Sequence, residues 1–150
     1  MPNATSAPAT TAVTLEVRRT FAAPRQRVFD AWTSAEALKR WQAPENAEVE
    51  NATVDFRVGG RYLIQMRGTD GQMHRVGGEY REIEPPGRLV FTWAWQEKEV
   101  SSDSIVTVEF FERGGETEVV LTHAGLVTEP ERAGHRHGWI GCFEKLASVV

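Results

Sequence analysis

The sequence predicts an α+β fold, with a seven-stranded antiparallel sheet packed on a long C-terminal helix and two short helices after the first strand. Three observations support this. Apolar residues alternate with a period of two in several short segments, glycine and proline turn signals separate these segments, and apolar residues recur at helical spacing near the end of the chain. With 150 residues, the chain is expected to form one domain.

The first strand is predicted over 14–21, where Leu15 and Val17 alternate with charged residues. Pro24 suits the first position of a helix because its missing N–H has no partner there anyway. Thr33 and Glu36 have the spacing of a capping box, which predicts a second short helix.

The next part of the chain is predicted to form a meander of six strands. The clearest alternation places Leu89, Phe91, Trp93 and Trp95 on one face of a strand. Gly114-Gly115 is a turn signal, as is the glycine-bounded segment 68–71. The predicted strands are 49–54, 61–67, 73–83, 89–95, 104–111 and 117–123.

A long helix is predicted from a second capping box, formed by Thr128 and Glu131, to the end of the chain. Its apolar residues cluster on one side and would cover the sheet. Gly134, Gly138 and Gly141 interrupt it, at about 1 kcal/mol each relative to alanine. Either close packing against the sheet or room for a ligand would explain these glycines.

The composition is that of an ordinary soluble globular protein and excludes several classes of function. The 17 basic and 21 acidic residues give a net charge of −4, which argues against a nucleic-acid partner. No apolar run approaches the roughly 20 residues of a membrane span. Residues 1–12 are rich in Ala, Thr and Pro and are predicted to be a disordered lead-in to a domain over 13–150, not a secretory signal. With one cysteine, Cys142, predicted to be a buried thiol, the expected location is cytoplasmic.

Several motifs in this order resemble the START-like (SRPBCC) superfamily, and more narrowly its subfamily named after the activator of the heat-shock-protein-ninety ATPase. The resemblance covers nearly the whole chain after residue 14. The motifs that carry it are Arg19–Pro24, Val28–Thr33, Leu38 through Trp41 to Pro44, Arg57–Tyr62, Gly68–Gly71, Tyr80–Leu89, and His137-Gly138-Trp139 with Phe143 and Leu146.

The resemblance implies a helix-grip fold, in which the sheet wraps around the C-terminal helix and leaves a pocket between them. It does not imply one ligand or one reaction, because similar folds serve unrelated functions. Phe143 stands where the family usually has leucine, and Gln42 where a second tryptophan is common. Both departures are expected to reshape the cavity rather than the fold.

The candidate ligand-binding residues are aromatic and apolar side chains at positions predicted to face the interior, since small-molecule sites are mostly apolar with a few polar groups. For any one of them, a place in a filled core is an equal alternative. Tyr62, Tyr80 and Trp93 also have polar tips that could bind a ligand. The candidates are Trp41, Tyr62, Ile64, Met66, Tyr80, Phe91, Trp93, Trp95, His123, Trp139 and Phe143.

The histidines do not predict a metal site, because His135 and His137 lie on different faces of a helix and no metal-binding motif accompanies them. His123 occupies an inward-facing position of its predicted strand and is either a structural histidine or an acid or base in the pocket. No catalytic residue can be singled out, and no cofactor is expected.

Three functions follow as hypotheses. The first is binding of a small hydrophobic or aromatic molecule between sheet and helix, by a monomer or homodimer. The second is an enzyme of the polyketide cyclase or aromatase type that uses the same pocket, with Tyr80 or His123 moving protons. The third is an interaction protein with a chaperone partner, which is the least expected. Eukaryotic members named for that role carry a further N-terminal domain, for which 150 residues leave no room.

Overall fold

The computed structural model describes residues 13–44, 46–96 and 104–150. They form a single seven-stranded sheet in the order β1-β7-β6-β5-β4-β3-β2, and every pairing is antiparallel. The elements are β1 (Val13–Phe21), α1 (Arg25–Asp30), α2 (Ala35–Leu38), β2 (Glu48–Val54), β3 (Arg61–Arg67), β4 (Met73–Glu84), β5 (Arg88–Trp95), β6 (Ser104–Arg113), β7 (Glu116–Leu126) and α3 (Glu129–Val149). The predicted fold class and order of elements are confirmed. Residues 1–12, the predicted lead-in, lie outside the described residues.

The two short helices connect opposite edges of the sheet, because β1 pairs with β7 at one edge while β2 forms the other. The predicted capping box at Thr33 is wrong by one residue. Ser34 is the N-cap, and its side chain accepts from the Ala37 N–H at 3.1 Å, whereas the Thr33 hydroxyl donates to the Asp30 carbonyl. Pro24 is likewise an N-cap rather than the first helical residue.

Strand β5 places Leu89, Phe91 and Trp93 in the core, as its alternation predicts. The β6–β7 hairpin turns at Gly114 and Gly115, whose φ angles are 61° and 88°. Two positive φ angles in a two-residue turn suit the right-handed twist of the flanking strands, and glycine adopts them without strain.

Helix α3 lies against the sheet through its buried side chains. Its N-cap, Thr128, accepts from the Glu131 N–H at 3.2 Å. Phe143 packs edge-on against Phe21 of β1, with ring centroids 5.6 Å apart, and Arg132 donates to the Thr14 carbonyl. Among the described residues, no helix has the length and apolar character to cross a membrane.

Candidate functional site

An apolar cavity of about 480 Å³ lies between the first half of α3, three strands of the sheet and the segment after α2. The strands contribute the end of β3 (Met66), the start of β4 (His74) and the end of β5 (Trp93 and Trp95). Its volume is within the range of small-molecule sites. The lining residues are Gln42, Pro44, Met66, His74, Trp93, Trp95, Pro130, Glu131, Gly134, His135, Gly138, Trp139 and Cys142. Neither lysine nor arginine is among them.

Two glycines of α3, Gly134 and Gly138, border this space. A Cβ atom added to Gly134 or Gly138 would have no non-local neighbour within 4 Å. Close packing against the sheet therefore does not explain these two glycines, and both lie beside open space of the cavity. Glu131, Gly134, His135 and Gly138 lie at spacings of three and four residues, so they form one stripe of the helix that faces the cavity.

Three tryptophans form the aromatic wall of the cavity. The ring centroid of Trp93 lies 4.9 Å from that of Trp139 and 5.8 Å from that of Trp95. The Trp95 indole N–H donates to Nε2 of His135 at 2.9 Å, and Nδ1 of His135 lies 2.7 Å from the Glu131 carbonyl oxygen. Because the carbonyl only accepts and the indole only donates, these two contacts place a proton on Nδ1 of His135 and the accepting lone pair on Nε2.

His123 lies behind this wall and has the opposite tautomer. The Trp139 indole N–H donates to its Nδ1 at 3.1 Å, so Nδ1 carries no proton. Its Nε2 lies 2.7 Å from Oγ of Ser104 and donates to it, and the Ser104 hydroxyl donates to the Trp93 carbonyl at 2.8 Å. Both ring nitrogens are thus engaged in holding two tryptophans of the wall in place.

Burial, with a smaller contribution from nearby His135, lowers the pKa of His123 to about 3. We expect this to make the protein less stable in acid. Between about pH 6.5 and about pH 3 the unfolded chain binds a proton at His123 that the folded protein does not, so the free energy of unfolding falls as the pH is lowered. The limiting slope is about 1.4 kcal/mol per pH unit.

Urea unfolding from about pH 7 to about pH 4 measures this dependence, and His123→Gln provides the comparison because it removes the titrating group. The slope contributed by His123 should be absent from the variant. A ¹⁵N NMR titration of the wild type should show His123 neutral, with a bare Nδ1, throughout that range. Protonation of His123 near its ordinary pKa would contradict the hydrogen-bond chain.

Two further buried groups are held in their neutral forms. Burial raises the pKa of the Cys142 thiol to about 12, although nearby Lys145 opposes the rise. Burial also raises the pKa of the Tyr80 hydroxyl above its usual range. Neither is activated as a nucleophile or base. No group of three potential metal ligands occurs among residues 13–44, 46–96 and 104–150.

The structure divides the predicted site residues into three sets. Met66, Trp93, Trp95 and Trp139 line the cavity. Tyr62, Ile64, Tyr80 and Phe91 line a separate void of about 20 Å³, together with Trp93. The remaining three, Trp41, His123 and Phe143, are fully buried and line neither space.

Sequence reasoning missed several cavity residues, among them His74, His135 and Cys142. The helical spacing of the α3 stripe was an available signal, since it groups His135 with the glycines and with Trp139. Gln42 was noted only as a departure from the family pattern, and it lines both spaces. Phe143, the other departure, shapes the core rather than the cavity.

The grip of the sheet on α3 and the apolar cavity between them define a START-like helix-grip protein. Residues 22–150 match the family described as "Activator of Hsp90 ATPase homolog 1-like protein", and the chain belongs to that family. A human relative, the activator of 90 kDa heat shock protein ATPase homolog 1, is 24% identical over 126 residues. The match covers 83% of this chain but 33% of the relative's length.

Solved bacterial structures share the fold over nearly their full length. A protein from Chromobacterium violaceum is 27% identical with a TM-score of 0.82, and the match covers 91% of this chain and 96% of that one. The AHSA1 protein from Silicibacter pomeroyi is 26% identical with a TM-score of 0.79 and the same coverage. A protein from Rhizobium leguminosarum is 28% identical, with a TM-score of 0.78 and coverage of 91% and 92%.

Proposed function

We propose that this protein binds a small, neutral, aromatic molecule in the cavity between the sheet and α3. The observation that carries the proposal is the open space beside Gly134 and Gly138, in a cavity that is also lined by three tryptophan rings. A helix glycine without a packing role is a stability cost, and a ligand that needs the space accounts for it.

The chemistry of the lining favours a neutral aromatic ligand over a charged lipid. Trp93, Trp95 and Trp139 offer ring faces and edges on which a planar ligand can stack. The described lining residues include the carboxylate of Glu131 but neither lysine nor arginine, so they offer no permanent cation as a counter-charge to a fatty-acid headgroup.

A thermal-shift screen tests the proposal. The panel contains neutral naphthalene derivatives and flavanones, with saturated fatty acids of similar size as the charged comparison. Neutral aromatics are expected to raise the melting temperature, because a ligand at about 100 times its Kd stabilises the folded state by about 2.7 kcal/mol. A panel in which no neutral aromatic compound stabilises the protein would overturn the proposal.

The cyclase alternative would need a free acid or base in contact with the substrate. His123 uses one ring nitrogen toward Trp139 and the other toward Ser104, and it does not line the cavity. The geometry therefore supports binding more than proton transfer by this residue. Turnover of a polyketide-like substrate that is lost in His123→Ala would reverse that order.

A chaperone-associated role is supported by the family and by the name of the human relative, of which this chain spans 33%. Stimulation of a purified chaperone's ATPase activity by this protein would establish it. That result would establish a chaperone partner without assigning a role to the cavity.

A further inference from the structure

A second, smaller void lies deeper in the core, between the short helices and strands β3 to β5. Its volume is about 20 Å³, which accommodates a single oxygen atom of a water molecule or a carbonyl group. Gln42 and Trp93 line both this void and the larger cavity, so the two spaces share a wall. The residues around the void are Trp32, Leu38, Gln42, Tyr62, Ile64, Tyr80, Leu89, Phe91 and Trp93.

Two tryptophans of this void carry hydrogen-bond donors without an acceptor. Trp32 and Trp93 are 2% and 6% exposed, and the indole N–H of each is buried and unpaired within the described part of the chain. The other three indole N–H groups are paired: Trp41 donates to a backbone carbonyl, and Trp95 and Trp139 donate to histidines. A buried donor without an acceptor destabilises the folded protein unless a ligand or a water molecule supplies one.

Gln42 adds a polar group to the wall that the two spaces share. It is 3% exposed, and its amide can both donate and accept a hydrogen bond. A ligand in the larger cavity that displaces this side chain would reach the void.

We propose that the void is a subsite for one neutral oxygen acceptor of the ligand, the carbonyl oxygen of an aromatic ketone, which accepts from the indole N–H groups of Trp32 and Trp93. This inference rests on the proposed function and narrows it to a ligand class. A carbonyl oxygen has two lone pairs for two donors that cannot accept. A carboxylate does not fit, because none of the described side chains around the void is charged.

A matched pair of probes tests the subsite. 2-Acetylnaphthalene and 2-ethylnaphthalene have the same ring system and a similar shape. The first has a carbonyl group where the second has a methylene group. A purely apolar site prefers the hydrocarbon, because the ketone must leave its water hydrogen bonds behind. With the subsite, the ketone should bind about tenfold more tightly than the hydrocarbon by titration of the intrinsic fluorescence.

The outcomes separate the two proposals. If both probes bind and the hydrocarbon binds as tightly or more tightly, the subsite is overturned while the proposed function stands. If neither probe binds and the wider aromatic panel also fails to stabilise the protein, the proposed function is overturned and the subsite with it.

Substitutions that remove an indole N–H test which residues cause the preference for the ketone. Trp93→Phe keeps an aromatic ring but removes the N–H, so the ketone's preference should fall several-fold. Phe111→Leu is the control and should leave the preference unchanged, because Phe111 lies on β6, is 43% exposed and lines neither space. An unchanged preference in both Trp93→Phe and Trp32→Phe would overturn the assignment.

Indole ¹⁵N–¹H spectra of the wild type give a second test that does not depend on the variants folding. The ketone should move the Trp32 and Trp93 signals downfield, whereas the hydrocarbon should not. The Trp41 signal is the internal control, because its N–H already donates to the Ala31 carbonyl at 2.9 Å. Equal shifts with both probes would contradict a hydrogen bond to the ketone.

Discussion

Phe143→Ala should lower the free energy of unfolding by about 3–5 kcal/mol, the usual cost of removing a fully buried aromatic ring. The ring is 1% exposed and packs edge-on against Phe21 and Trp32, with centroids 5.6 and 6.2 Å away. Because it lines neither interior space, the removed volume becomes a new void in the core. Since a domain is typically stable by 5–15 kcal/mol, the loss should be obvious in urea unfolding.

Phe111→Ala is the matched control. Phe111 lies on β6 and is 43% exposed, so the same substitution there should change stability by no more than about 0.5 kcal/mol. A small effect of Phe143→Ala, close to that of Phe111→Ala, would mean that α3 does not pack against the sheet through Phe143. The helix-grip arrangement, and the cavity between sheet and helix, would then be wrong.

Gly138→Leu should weaken the binding of aromatic ligands while it stabilises the protein. A Cβ at this position meets no non-local atom within 4 Å, so the new side chain enters the cavity rather than the sheet. Replacing a helix glycine should gain about 1 kcal/mol from helix propensity. Isothermal titration with a neutral naphthalene should show at least a tenfold weaker affinity, because the leucine occupies the ligand's place.

Ala133→Leu is the control for Gly138→Leu, since Ala133 is an exposed residue of the same helix that does not line the cavity. It should leave the affinity unchanged. Unaltered binding by Gly138→Leu would place the ligand elsewhere. A large loss of stability would show that the space beside Gly138 is closed in solution.

The sequence predicts the sheet well because period-two alternation decides directly which side chains enter the core. Leu89, Phe91 and Trp93 are buried on β5 as their spacing indicates. Alternation cannot tell a core side chain from one that lines a cavity, because the gap depends on how far apart the elements pack. Phe143 and Trp139 are both buried on α3, yet only Trp139 reaches the cavity.

The candidate site depends on contacts between distant elements, which spacing does not show. His123 could be interpreted as a structural histidine or as a pocket base, and the choice depends on Trp139 and Ser104, which come from α3 and β6. The role of Gln42 could not be predicted either. Its position in the wall between the two spaces exists only when α2, β3 and β5 are assembled.

The most direct test of ligand binding between sheet and helix is an intermolecular NOE measurement on protein labelled with ¹³C at the methionine methyl groups. The chain has 3 methionines, and Met66 lines the cavity whereas Met73 does not. With 2-acetylnaphthalene bound, the account predicts NOEs from the ligand's ring protons to the Met66 methyl group and none to that of Met73. Saturable binding with NOEs to Met73, or with none to Met66, would contradict it.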